Sequence, residues 1–120
     1  MFEVQRLQQL IGAVLCLQML SFSLPLAAQD AKSMYQAGTQ AFDKGQYEEA
    51  AAHFRAAWEA KPSWKLHFNI GQSLAAARDY GGALEAFEKY LAEGGDEVPE
   101  KRSEEVLKEI ARVGITRFEL

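Results

Sequence analysis

The sequence predicts an all-α fold: a short α-solenoid of antiparallel helix pairs with a C-terminal capping helix. Three observations carry that prediction. Tyr47, Ala50 and Phe54 return 33 residues later as Tyr80, Ala83 and Phe87, and Gly38 returns as Gly71; a period in the thirties marks stacked supersecondary units. Within each unit the apolar residues fall three and four apart, which gathers them on one helical face. Helix-stopping residues, among them Gly45, Pro62 and Gly94-Gly95, stand between those stretches.

Composition sets the bounds. The chain has 120 residues, 48% of them hydrophobic and 25% charged, which suits one small globular domain rather than a disordered chain. Lys and Arg number 13 against 17 Asp and Glu, a net charge of −4. Phosphate backbones select basic surfaces, so nucleic acid is not an expected partner. The lone cysteine, Cys16, excludes a disulfide framework and a multi-cysteine zinc site.

Residues 1–28 read as a secretory signal peptide. Arg6 gives a weakly positive start, Leu10 to Leu20 an apolar core broken only by Gln18, and Pro25-Leu26-Ala27-Ala28 a small-residue exit before Gln29-Asp30. The competing reading is an uncleaved membrane anchor, which needs about 20 predominantly apolar residues; Gln8, Gln9, Gln18, Ser21, Ser23 and Pro25 make the stretch polar for that role. Cleavage near Ala28-Gln29 places the protein in the periplasm or outside the cell and removes Cys16. Glu3 and Arg6 leave together, so the rest of the chain keeps its charge of −4.

From there the elements follow in order. A first helix, about Ala31 to Lys44, carries Met34, Ala37, Gly38, Ala41 and Phe42 on one face, and Gly45 ends it. A second, about Tyr47 to Ala60, turns Tyr47, Ala50, Ala51, Phe54, Ala57 and Trp58 inward. Pro62 breaks it, since proline lacks the amide donor and restricts the residue before it. A third spans about Ser63 to Arg78 with Leu66, Phe68, Ile70, Gly71 and Leu74 mostly inward. A fourth, about Tyr80 to Ala92, uses Tyr80, Ala83, Leu84, Phe87, Tyr90 and Leu91. A fifth, about 97–113, opens on Pro99 with Glu97 and Glu100 at the positive end of its dipole. Its apolar face is Val106, Leu107, Ile110 and Val113, and Gly114 is expected to end it. Residues 115–120 then form a tail, β-prone at its start.

The two units resemble tetratricopeptide repeats, whose pattern is W-x2-L-G-x2-Y, then A-x3-F and a late proline. The first reads Met34-x2-Ala37-Gly38-x2-Ala41, Ala50-x3-Phe54, Ala57 and Pro62. The second reads His67-x2-Ile70-Gly71-x2-Leu74, then Ala83-x3-Phe87 and Tyr90. Neither opens on Trp, Gly95 stands near the second proline position, and the offset is 33 rather than 34. The resemblance divides residues 29–114 into repeats at about 31–63 and 64–96 plus the capping helix. Gly38, Tyr47, Ala50, Phe54, Gly71, Tyr80, Ala83 and Phe87 become the repeat-packing residues. It also implies a concave face lined by the first helix of each pair, which binds a peptide or helix of another protein. The groove candidates are Lys32, Tyr35, Gln36, Thr39 and Phe42 on the first helix, with Lys65, Phe68, Asn69, Gln72 and Ala76 on the third. Repeats that clamp a C-terminal carboxylate share only Asn69 with this chain; Tyr35 and Thr39 replace the first pair of clamp residues, and Lys101 and Arg102 stand near the fifth helix.

No constellation for chemistry stands out. His53 and His67 lack the i, i+4 spacing or nearby Cys of a zinc site, Glu48-Glu49 and Glu104-Glu105 read as solvated pairs, and no serine sits in a G-x-S-x-G elbow. The expectation is a non-enzyme without cofactor or metal: an exported protein–protein interaction adaptor. The alternative is a structural, self-assembling repeat module of a cell-envelope complex, joined through the fifth helix or through the edge helix Ala31–Lys44.

Overall fold

A computed structural model describes the backbone of residues 26–119 and the side chains of residues 30–116. Cys16 and all but the last three residues of the expected leader lie outside that range. Five helices follow in chain order: α1 Leu26–Asp43, α2 Tyr47–Ala60, α3 Leu66–Ala76, α4 Tyr80–Gly94 and α5 Glu100–Glu119, with one 3₁₀ turn, Gly95–Glu97, before α5. The described residues contain no strand, and each helix packs chiefly on its neighbours in the chain. The Ala28–Gln29 bond falls in the first turn of α1. Among the described residues no helix is long and apolar enough to cross a membrane.

The same turn closes α1 and α3. The Gln46 amide donates to the Ala41 carbonyl at 2.8 Å and the Gly45 amide to Phe42 at 3.0 Å; 33 residues on, Asp79 donates to Leu74 at 2.8 Å and Arg78 to Ala75 at 3.1 Å. Both are Schellman closures, which require a left-handed residue after the helix. Gly45 supplies it at φ +75°, and Arg78 at φ +65°. α3 starts three residues later than the periodicity suggests. The Leu66, His67 and Phe68 amides donate to the carbonyls of Ser63, Trp64 and Lys65, so the chain winds more tightly there before the helix proper begins.

Inside each pair a phenylalanine fills a glycine notch. A Cβ on Gly38 would stand 2.8 Å from the Phe54 ring, and one on Gly71 2.6 Å from Phe87. Ala50 and Ala83 are fully buried beside those rings, and with Ala41, Ala51, Ile70, Leu74, Ala86 and Tyr90 they form one continuous core that Val106 and Val113 of α5 complete. Tyr47 and Tyr80 sit half-buried at the α2 and α4 starts, Tyr47 edge-on to Phe42 at 5.1 Å. Full burial of an aromatic ring contributes roughly 1.5–3 kcal/mol, so these two rings are the main fasteners of the array.

α5 departs from the sequence reading in two ways. Gly114 does not end it: a terminating glycine turns to positive φ, as Gly45 and Gly95 do, and Gly114 keeps helical backbone. Residues 115–119 therefore continue the helix rather than form a separate tail, and the Thr116 hydroxyl donates back to the Arg112 carbonyl at 2.9 Å. Leu107, assigned to the buried face with Val106, is 54% exposed. One residue is 100° of helix, and α5 packs against α4 along the narrower line of Val106, Ile110 and Val113.

Candidate functional site

The sequence-based groove residues fall on one side of the array but do not form one homogeneous surface. Tyr35, Thr39 and Phe42 of α1 meet Asn69 and Gln72 of α3 across a cleft of ≈ 180 Å³, floored by Phe54. Tyr35 is 44% exposed, its ring 5.5 Å from Phe54. Periodicity explains the alignment, since 35, 39 and 42 share one face of α1, as do 65, 68, 69 and 72 of α3. The Thr39 hydroxyl donates to the Tyr35 carbonyl at 3.1 Å and so serves its own helix first.

A second cleft, ≈ 340 Å³, continues from Asn69 towards α5. Trp64, Lys65, Phe68 and Asn69 line one wall, with Tyr90, Glu97, Pro99 and Arg102 opposite. Phe68 is half-buried, its ring 5.6 Å from Tyr90 and 6.2 Å from Phe87, and the Arg102 guanidinium lies 4.6 Å from its centroid. It is thus a packing residue with one covered face rather than an open anchor. The Trp64 indole donates to Glu97 at 3.3 Å, and Lys65 stands 5.8 Å from the Trp64 ring. Lys32, Gln36 and Ala76 are exposed but line neither cleft.

Trp64, Glu97, Pro99 and Arg102 are the lining residues that sequence reasoning missed. Arg102 was findable: it stands 33 residues after Asn69, in the same register. The 3₁₀ turn displaces the start of α5, which hides that register from helical periodicity. Arg102 reaches the cleft while Lys101 points elsewhere, so of the two basic candidates only Arg102 joins Asn69 there. Its guanidinium also donates to Glu105 at 3.0 Å, which offsets part of its charge. One turn further on, the hydrogen bond from Arg112 to Glu109 raises the guanidinium's pKa above its usual value, against the opposing effect of desolvation.

The opposite side of the array carries a cleft of ≈ 370 Å³ between α2 and α4. His67 reaches it from α3. At 7% exposure it is more deeply buried than its polar character suggests, because its Nε2 lies 2.7 Å from Glu93 Oε2 and its ring 5.8 Å from Trp58. The imidazole thus fills the place of the aromatic that opens the repeat pattern, with a carboxylate to satisfy its polar edge. Among the described residues no three His, Cys, Asp or Glu side chains converge as a metal site.

A family model described as tetratricopeptide repeat matches residues 35–98, just over half of the chain. No curated protein and no solved structure matches it.

Proposed function

The chain belongs to the tetratricopeptide repeat family, whose repeats are protein-interaction modules, and on that premise we propose that this protein is an exported adaptor whose concave face holds an extended segment of another protein. The observation that carries the reading is the pair of clefts that meet at Asn69 and run across α1, α3 and α5. Their walls combine aromatic area with side-chain amides. Aromatics supply contact energy at little entropic cost, and amides bond a peptide backbone in either direction. Export rests on the residue pattern of positions 1–28 alone.

Selection of binders from a random peptide library tests the groove. Tyr35→Ala removes an exposed ring without opening the core, so selected peptides are expected to lose at least about tenfold in affinity, or about 1.4 kcal/mol. Glu85→Ala, on the far side of the array, leaves binding unchanged. Equal losses from both substitutions, or none from Tyr35→Ala, place the binding surface elsewhere. Export has its own test: mass spectrometry of the chain recovered from the host's envelope fraction is expected to find an N-terminus at Gln29. An intact Met1 or Phe2 start rejects cleavage there.

A further inference from the structure

Three first-of-pair helices stand in this chain, and only two have mates. α2 covers α1 and α4 covers α3, each with a phenylalanine seated on a glycine; the corresponding side of α5 is bare. It carries Leu107 at 54% and Ile115 at 61% exposure, two of the three large hydrophobic side chains that are exposed among the described residues. With exposed Ala111 between them at spacings of four, they form a stripe along the helix. The stripe is not shaped for a third copy of the same second helix. One residue past the buried Val106 and three before Ile110, in the register that Gly38 and Gly71 hold before Ala41 and Leu74, stands the protruding Leu107. A phenylalanine arriving as Phe54 or Phe87 does would strike it.

The notch is instead seven residues further on. Gly114 lies in the body of the helix, where glycine is destabilising relative to alanine, yet a Cβ there would meet nothing within 4 Å. Nothing in the chain's own packing calls for it. A knob at 107 and a hole at 114, two turns apart on one stripe, are complementary to themselves when two such helices run antiparallel about a centre at Ala111. Leu107 of each copy then rests over Gly114 beside Ile115 of the other, and alanine meets alanine at the axis. Such a contact is isologous and closes on itself. The other end of the array offers no match, because α1 exposes Asp30, Ser33, Gln36 and Gln40.

We propose that this face of α5 pairs with α5 of a second copy of the chain, forming a two-fold dimer that leaves both concave faces open. A face one helix wide buries less than about 1,000 Å² in total, which places the contact among weak, concentration-dependent ones. Site-directed disulfide trapping suits that regime. In the full chain carrying Cys16→Ala, Ala111→Cys is expected to yield a linked dimer under mild oxidation at tens of micromolar, as implies for a weak contact, and Lys101→Cys on another side of α5 is not. Gly114→Leu added to Ala111→Cys is expected to cut the linked fraction at least tenfold while the thermal midpoint holds or rises, since leucine favours helix and meets open space within its own chain. No linkage at position 111 overturns the proposal, including the case where a different protein covers the stripe. So do equal linkage at 101 and 111, and linkage that Gly114→Leu leaves unchanged.

Discussion

Phe54 and Phe87 hold the same place in their helix pairs, 33 residues apart, yet Phe54 keeps 3% of its surface in solvent and Phe87 none. The difference lies in the neighbours. α1–α2 is flanked on one side only, by α3, whereas α3–α4 has α2 before it and α5 behind. The groove residues repeat the contrast. Tyr35 and Phe68 also correspond, but Arg102 covers Phe68, while the residue at the matching offset above Tyr35 is Asn69, whose short amide leaves the ring open. Position in the stack, more than residue type, decides whether an aromatic is core or contact surface.

The largest effect expected from that comparison is at the two phenylalanines. Phe87→Ala should destabilise the chain by about 3–5 kcal/mol, because the cavity it leaves is walled on every side. Phe54→Ala should fall at the low end of the same range, since the end of the array can settle into the space. Urea midpoints at unchanged m-value measure both. A Phe54 variant as costly as the Phe87 one would show that flanking helices do not set the cost.

The glycine notches sharpen the same point. A methyl at Gly71 would lie 2.6 Å from the fully buried Phe87 ring, and one at Gly38 2.8 Å from Phe54, whose neighbour Tyr35 is exposed and can yield. Gly71→Ala is expected to cost about 1–3 kcal/mol by overpacking, and Gly38→Ala less. Reversed order in thermal midpoints would break the argument.

These packing residues were legible in the sequence because the repeat displays each of them twice. Gly38 with Gly71, Ala50 with Ala83 and Phe54 with Phe87 identify one another, and helix α2 was readable to the residue because Gly45 and Pro62 bracket it. What happens once was harder to read. Gly114 resembles a stop signal, but a glycine ends a helix only when its φ turns positive, and no sequence feature reports that. Leu107 shares its spacing with true core residues, and only the absent mate of α5 reveals it as surface. The groove was half legible: Tyr35, Thr39, Asn69 and Gln72 follow from helical spacing, whereas Trp64 and Arg102 depend on turns whose geometry lies outside any periodic pattern.

The α2 and α4 starts differ by one capping interaction. Asp79 accepts the Gly82 amide at 3.0 Å, while its counterpart Gln46 makes no side-chain cap. Asp79→Ala is therefore expected to cost about 1 kcal/mol. Gln46→Asp should recover a similar amount for α2, tempered by the charges of Glu48 and Glu49 in the same turn. Paired midpoints of the two variants test this, and a Gln46→Asp protein no more stable than the original would show that the first turn cannot adopt the capped geometry.

The smallest expected effect concerns the left-handed residue in each turn, Gly45 in the first pair and Arg78 in the second. An L-residue with a side chain pays about 1–2 kcal/mol to hold that conformation. Glycine avoids the penalty but loses about 0.5–1 kcal/mol through its greater freedom when unfolded. Arg78→Gly should thus stabilise the chain by about 0.5–1 kcal/mol, and Gly45→Arg should destabilise it by a like amount, because the two turns share the same Schellman hydrogen bonds. The side chain of Arg78 is exposed and forms no ion pair among the described residues, so its removal disturbs little else. Equal and opposite shifts establish that the turns are energetically interchangeable. A loss of stability in Arg78→Gly would mean that the arginine stem contributes packing at the turn that outweighs its strained backbone.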